Sequence, residues 1–184
     1  MIAKYAVAAL VLLAGVAGAS GAWAAQASAG GKMGDKFIKE AIQGNLAEVQ
    51  VGQLAQEKGA SQGVKDFGGT LAADHQTANQ SAMQTAQQMN VTPPDKPGVK
   101  QQAVYTKLSA LSGDQFDRQF IKDMVKDHKK DIAKYQKEAR GNGPAADYAK
   151  QILPKLREHL KIAEDLERGE HVASASQNSK MKTR

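Results

Sequence analysis

FDRQFIKDMVKDHKKDIAKY, residues 116–135, is the stretch on which the fold turns. Phe116, Phe120, Met124, His128, Ile132 and Tyr135 recur at spacings of three and four, which places them on one face of an α-helix. Lysines and aspartates interleave on the other faces, as in Lys122-Asp123, Lys126-Asp127 and Lys130-Asp131. An amphipathic helix of this kind must bury its stripe against other helices. The rest of the chain supplies them.

Upstream, Ser112-Gly-Asp-Gln115 has the spacing of a capping box, predicting a helix that starts there and runs to about residue 139. Downstream, Gly141-Asn-Gly-Pro144 ends that helix and opens another over 144–168, striped by Ala149, Ile152, Leu156, His159, Ala163 and Leu166. Pro154 lies inside it, where the missing N–H predicts a kink. Towards the N-terminus, Phe37, Ala41, Gly44, Glu48, Val51 and Ala55 mark a helix over 35–58. Val64, Phe67, Leu71, His75, Ala78, Ala82, Ala86 and Met89 mark another over 61–90. Gly68-Gly69 weakens the latter by about 1 kcal/mol per glycine relative to alanine, or lets a neighbouring helix approach closely. Three prolines between Val91 and Gly98 break the chain before a short helix over 99–110, with Val104, Leu108 and Leu111 inward. No stretch of useful length alternates with period two. The expected fold is all-α, a four-helix bundle with a short extra helix in the proline-containing crossover.

The N-terminus has a different character. MIAKYAVAALVLLAGVAGASGAWAAQ, residues 1–26, places Lys4 before an apolar run from Tyr5 to Ala17 and the small-residue site Ala22-Trp23-Ala24. That order is a Sec signal peptide, residues 1–24, and the apolar run falls short of the roughly 20 residues of a membrane span. The expected layout is then a flexible leader over 25–34, the helical bundle over 35–168 and a disordered basic tail over 169–184. The expected address is the periplasm, with at most peripheral outer-membrane association. The 184 residues include no cysteine, so the fold relies on packing, and thiolate metal sites and lipid-modified cysteine are excluded. The net charge of +6 comes from 25 basic and 19 acidic residues with signs interspersed, which argues against a nucleic-acid groove. No membrane span is expected after signal cleavage. A peripheral envelope contact or a protein partner remains open through the basic tail, and oligomeric state is not legible.

Two of the helices share more than periodicity. Phe67-x3-Leu71-x2-Asp74-His75 aligns without gaps on Phe120-x3-Met124-x2-Asp127-His128, either as a structural correspondence or as coincidence among helical stripes. His75, His128 and His159 each sit on the stripe of a different long helix and each follows an acid, Asp74, Asp127 and Glu158. Glu48 stands on the small-residue face of the remaining helix, where burial demands a partner. One reading is a divalent metal (Fe, Zn or Cu) held by Glu48, His75, His128 and His159. The other is a polar layer of hydrogen-bonded side chains with no cofactor. Met83, Met89 and Met124 read as core filling. No G-x-S-x-G, phosphate loop or H-E-x-x-H is present, so no catalytic residues are assigned and nothing marks an enzyme.

The motifs Asn45-Leu-Ala-Glu48-Val, Gly52-Gln-Leu-Ala55, Val64-Lys-Asp-Phe67 and Ala73-Asp-His75 resemble those of an exported bacterial family, domain of unknown function 4142. Phe116-Asp-Arg-Gln-Phe120, Met124-Val-Lys-Asp-His128 and Leu153-Pro-Lys-Leu-Arg-Glu-His159-Leu extend the resemblance. Members are often labelled outer membrane proteins. The resemblance implies a ferritin-like bundle and brings no established activity. The Glu-x-x-His ligand pattern of ferritin-like di-iron proteins is missing, since Ala72, Val125 and Leu156 precede the three histidines by three. Di-iron chemistry is therefore not carried over. The combined expectation is an exported envelope protein of unknown activity, serving envelope maintenance or stress tolerance, with metal binding as the alternative.

Overall fold

The computed structural model describes residues 20–182, with side chains described over 31–169. The described residues form five helices and no strand: α1 Ser20–Lys58, α2 Gln62–Gln88, α3 Val99–Ser109, α4 Gly113–Glu138 and α5 Pro144–Lys182. Residues 1–19 of the expected signal segment lie outside them. The expected leader and the described part of the expected tail continue α1 and α5 as helix. Neither contains a proline, and extending a formed helix avoids the cost of nucleating one. Among the described residues no helix is long and apolar enough to cross a membrane.

α1 packs on α2 and α4 on α5, each pair joined by a short turn. Phe67 meets Phe120 edge-on with centroids 5.8 Å apart, and eight residues further along both helices His75 meets His128 at 6.0 Å. The repeated segments therefore face one another at matching levels, so α2 and α4 run in the same direction. The crossover through α3 carries the chain back between them. The repeat is a structural correspondence across the core.

Close approach of α1 and α2 depends on two glycines. A Cβ on Gly52 would lie 2.5 Å from the Gly68 carbonyl oxygen, and one on Gly68 would lie 2.6 Å from the Gly52 carbonyl oxygen. Gly69 has no such role, since only the flexible Gln56 side chain stands near it, at 3.5 Å. The turn between the two helices is tied to α4 by buried Asp117, which accepts from the amides of Ala60 at 2.9 Å and Ser61 at 2.8 Å. Ser61 caps α2 by accepting from Val64 N–H at 3.3 Å. The capping box expected at Ser112 does not form: Ser112 is the N-cap but makes no side-chain cap bond. Gly113 enters the helix at φ +61°, which turns the chain differently from a standard box. Pro154 is accommodated on the exposed side of α5, which continues through it.

The interior divides into two apolar clusters. One joins Phe37, Ile38 and Ile42 to Ala82, Tyr135, Tyr148 and Ile152. The other joins Val51, Leu54 and Phe67 to Phe116, Phe120, Met124 and Ala163. On each long helix the residue between the two clusters is polar: Asn45 on α1, His75 on α2, His128 on α4 and His159 on α5. All four are buried, at 1–5 % exposure. The polar layer thus crosses the middle of the bundle between the two apolar clusters.

Candidate metal centre

A buried polar group needs partners, and the partners here decide which atoms remain free. His128 Nδ1 lies 3.0 Å from the Met124 carbonyl oxygen one turn earlier on its own helix. A carbonyl only accepts, so Nδ1 carries the proton and Nε2 carries the lone pair. His159 Nε2 lies 2.8 Å from Asp74 Oδ2, which likewise takes a proton and leaves the Nδ1 lone pair inward. His75 is fixed by a longer chain. The Tyr148 hydroxyl donates to the Ala78 carbonyl at 3.3 Å and accepts from Asn45 Nδ2 at 3.0 Å. Asn45 Oδ1 therefore faces His75 Nδ1, 3.0 Å away, as acceptor. His75 Nδ1 carries the proton, and its Nε2 is left buried with no partner. These tautomers follow from the hydrogen-bond network.

Three lone pairs are then left in the cluster, on His75 Nε2, His128 Nε2 and His159 Nδ1. The three histidines each offer a ligand atom within 4.8 Å of the others. His128 Nε2 and His159 Nδ1 are 3.3 Å apart. Two nitrogens bound at 2.0–2.1 Å to one tetrahedral ion lie about 3.3 Å apart, so this pair already has the spacing of a chelate. Two lone pairs at that distance repel unless a cation lies between them. The other way to relieve the clash is to protonate one of the two rings fully, and burial opposes it in both. The His159 pKa is lowered by burial despite its bond to Asp74. Burial holds His128 down to about 4 and His75 well below the usual histidine value, with the neighbouring imidazoles adding to both. Neutral imidazole is the form that ligates.

Glu48 does not join this cluster. It lies on α1 one turn beyond Asn45, and Asn45 is the residue that meets His75. Glu48 lines a cavity of about 550 Å³ together with His75, Met124, Asp127, Asp131 and Tyr135. Its Oε2 is buried without a hydrogen-bond partner. Burial, and secondarily the charges of Asp131 and Asp127, push its carboxyl up to about 8.

The acids that precede the histidines act differently from one another. Asp74 serves His159 on another helix instead of its neighbour His75, and Lys155 lies 3.6 Å from the same oxygen. Asp127 faces the cavity. Glu158 is exposed and bonded to Lys155. Asn45 and Tyr148 are site residues not anticipated from the sequence. Their one visible signal was a position on the inner face of α1 and α5 that is neither apolar nor charged. Of the methionines, Met124 is buried and Met89 packs partly buried against the core, whereas Met83 is exposed.

The chain belongs to the family described as a domain of unknown function (DUF4142), whose family model matches residues 19–166. Among solved structures it is similar to one titled "Crystal structure of DUF305 fragment from Deinococcus radiodurans". The two share 16 % identity with a TM-score of 0.65 over 74 % of this chain and 96 % of that one, a likeness of fold alone. No curated protein matches the chain in sequence.

Proposed function

We propose that the protein binds one first-row transition metal ion through His75 Nε2, His128 Nε2 and His159 Nδ1. The observation that carries this is the pair of facing imidazole nitrogens at 3.3 Å, each left with its lone pair by the bond its other nitrogen makes. Three neutral imidazoles without sulfur favour Zn, Cu or Fe over the hard ions Mg and Ca. The carbonyl of Met124, Asn45 and Asp74 orient the rings, as outer partners do in histidine metal sites. Metal content distinguishes this site from a metal-free polar layer held by the same bonds.

Untagged protein purified from cells is assayed for metal content and for melting temperature with added Zn²⁺, Cu²⁺ or Fe²⁺. About one ion per chain is expected. At a hundredfold excess over Kd a ligand of the native state stabilises it by about 2.7 kcal/mol, a rise of roughly 5–10 °C at this size. His128→Gln abolishes the rise. Less than about 0.1 ion per chain with no shift in melting temperature refutes the proposal, because a ligand of the folded state must stabilise it.

The address proposed for this site is the cell envelope, supported by the signal-type order of Lys4, the apolar run and Ala22-Trp23-Ala24. Cleavage after Ala24, read as the mass of the mature chain from a periplasmic fraction, tests it. A role in envelope maintenance or stress tolerance follows as the physiological proposal. A deletion strain that matches its parent under envelope and oxidative stress, including excess copper or iron, counts against that role.

A further inference from the structure

The rear nitrogens of the three imidazoles are closed off. The Met124 carbonyl backs His128, Asn45 backs His75, and Asp74 with Lys155 behind it backs His159. Of the three histidines only His75 also lines the 550 Å³ cavity between α1, α4 and the start of α3. Met124 and Leu156, one turn before His128 and His159 on α4 and α5, line it as well, so the cavity ends against the layer that holds the cluster. The donor set found among the described residues is three neutral nitrogens. Three such ligands leave a four-coordinate ion one position short, the arrangement of zinc sites that keep a place for an exchangeable ligand. They also leave its positive charge unmatched by any anionic ligand, which is costly in a buried site. Glu48, whose buried Oε2 lacks a partner, lines the same cavity as His75.

Resting on the metal reading above, we infer that the bound ion keeps an open coordination position towards this cavity. There it takes a small anionic ligand from solution, with Glu48 as the hydrogen-bonding group beside it. The site thus belongs with metal centres that keep a place for an exchangeable ligand, and differs from a closed structural site whose four positions are all filled by protein. Gly44 offers a way to block the cavity without touching the ligands. It lines the cavity on α1, and a side chain there would meet nothing within 4 Å of its Cβ.

The test uses the full mature chain loaded with Co²⁺, whose visible absorption bands report coordination number, and titrates it with azide. Wild type is expected to load one Co²⁺ and to change its bands saturably with azide. Gly44→Phe, with Gly44→Leu as the smaller alternative, keeps the Co²⁺ bands and loses the azide response. Glu48→Leu raises the azide Kd by about tenfold, the equivalent of one hydrogen bond to a charged group. Absence of Co²⁺ bands in wild type overturns the metal reading and this inference with it. Bands that form but ignore azide overturn only the open position. A Co²⁺ spectrum altered by Glu48→Gln before any azide is added identifies Glu48 as the fourth ligand and has the same consequence. An azide response that survives Gly44→Phe refutes the cavity as its route.

Discussion

Gly68 and Gly69 are neighbours on one helix, yet their alanine variants are expected to move stability in opposite directions. A methyl group at Gly68 would meet the Gly52 carbonyl oxygen at 2.6 Å and the Ala55 Cβ at 2.7 Å, and neither atom can rotate away. Ordinary C···O contact is about 3.3–3.6 Å, so α1 and α2 must part by about 0.7–1 Å. Forced overpacking costs about 1–3 kcal/mol, and the alanine recovers about 1 kcal/mol of helix propensity. The net loss for Gly68→Ala is about 1 kcal/mol at the middle of that range and about 2 kcal/mol at its top. Gly69→Ala meets only the Gln56 side chain at 3.5 Å and keeps the propensity gain of about 1 kcal/mol. Thermal melts followed by helical circular dichroism should separate the two variants, each kcal/mol being worth about 2–4 °C at this chain length. The same change reaches the site. Asn45 lies seven residues before Gly52, and His75 seven after Gly68, so the Asn45–His75 bond is about 10 Å along the same interface. Gly68→Ala should therefore also shrink the metal-induced rise in melting temperature, and Gly69→Ala should not. A Gly68→Ala protein as stable as Gly69→Ala would refute the close-packing argument.

Glu48 holds its proton to about pH 8 in the fold against an ordinary value of 4.5, so the native state binds more protons across that window. Stability from this group is complete below 4.5 and falls as pH rises to 8. Glu48→Gln should therefore gain little at pH 4.5 and at least about 1 kcal/mol at pH 8, one pKa unit being worth 1.36 kcal/mol. Melting curves across that range would show a flat difference if Glu48 were instead ionised throughout. His128 shifts the other way, from 6.5 down to about 4, so the unfolded chain binds more protons between those values. Its contribution is present above 6.5 and is lost as pH falls towards 4, and His128→Gln should flatten the acid limb of metal-free protein. Asp117→Ala removes the acceptor for the Ala60 and Ser61 amides and should cost about 2–3 kcal/mol in urea unfolding, with Asp117→Asn recovering about half. An unchanged midpoint would mean that water replaces the carboxylate without loss.

Much of this protein can be read from the order of its residues. The stripes of α1, α2, α4 and α5 follow from the 3.6-residue period, which depends on nothing beyond each helix itself. Placing a histidine on each of three stripes was enough to bring His75, His128 and His159 inward. Residues 25–34 and 169–182 read differently in the fold, because composition does not show where a helix already under way will stop.

What a stripe cannot specify is the axial level at which two helices meet. Asn45 and Glu48 stand three residues apart on α1, about 4.5 Å along its axis. Either could have met His75 by periodicity alone. The Gly52–Gly68 contact sets that level and brings Asn45 to the imidazole, leaving Glu48 against the cavity. Asp74 likewise reaches across to His159 because α2 and α5 lie side by side, a neighbour relation absent from either helix read alone. The helical period was enough to turn His75, His128 and His159 inward, though not to single out Asn45 and Tyr148 beside them. His128 takes its tautomer from the Met124 carbonyl of its own helix. Only the packing of helix on helix decided which nitrogens of His75 and His159 keep a free lone pair, because Asn45 and Asp74 reach them from other helices.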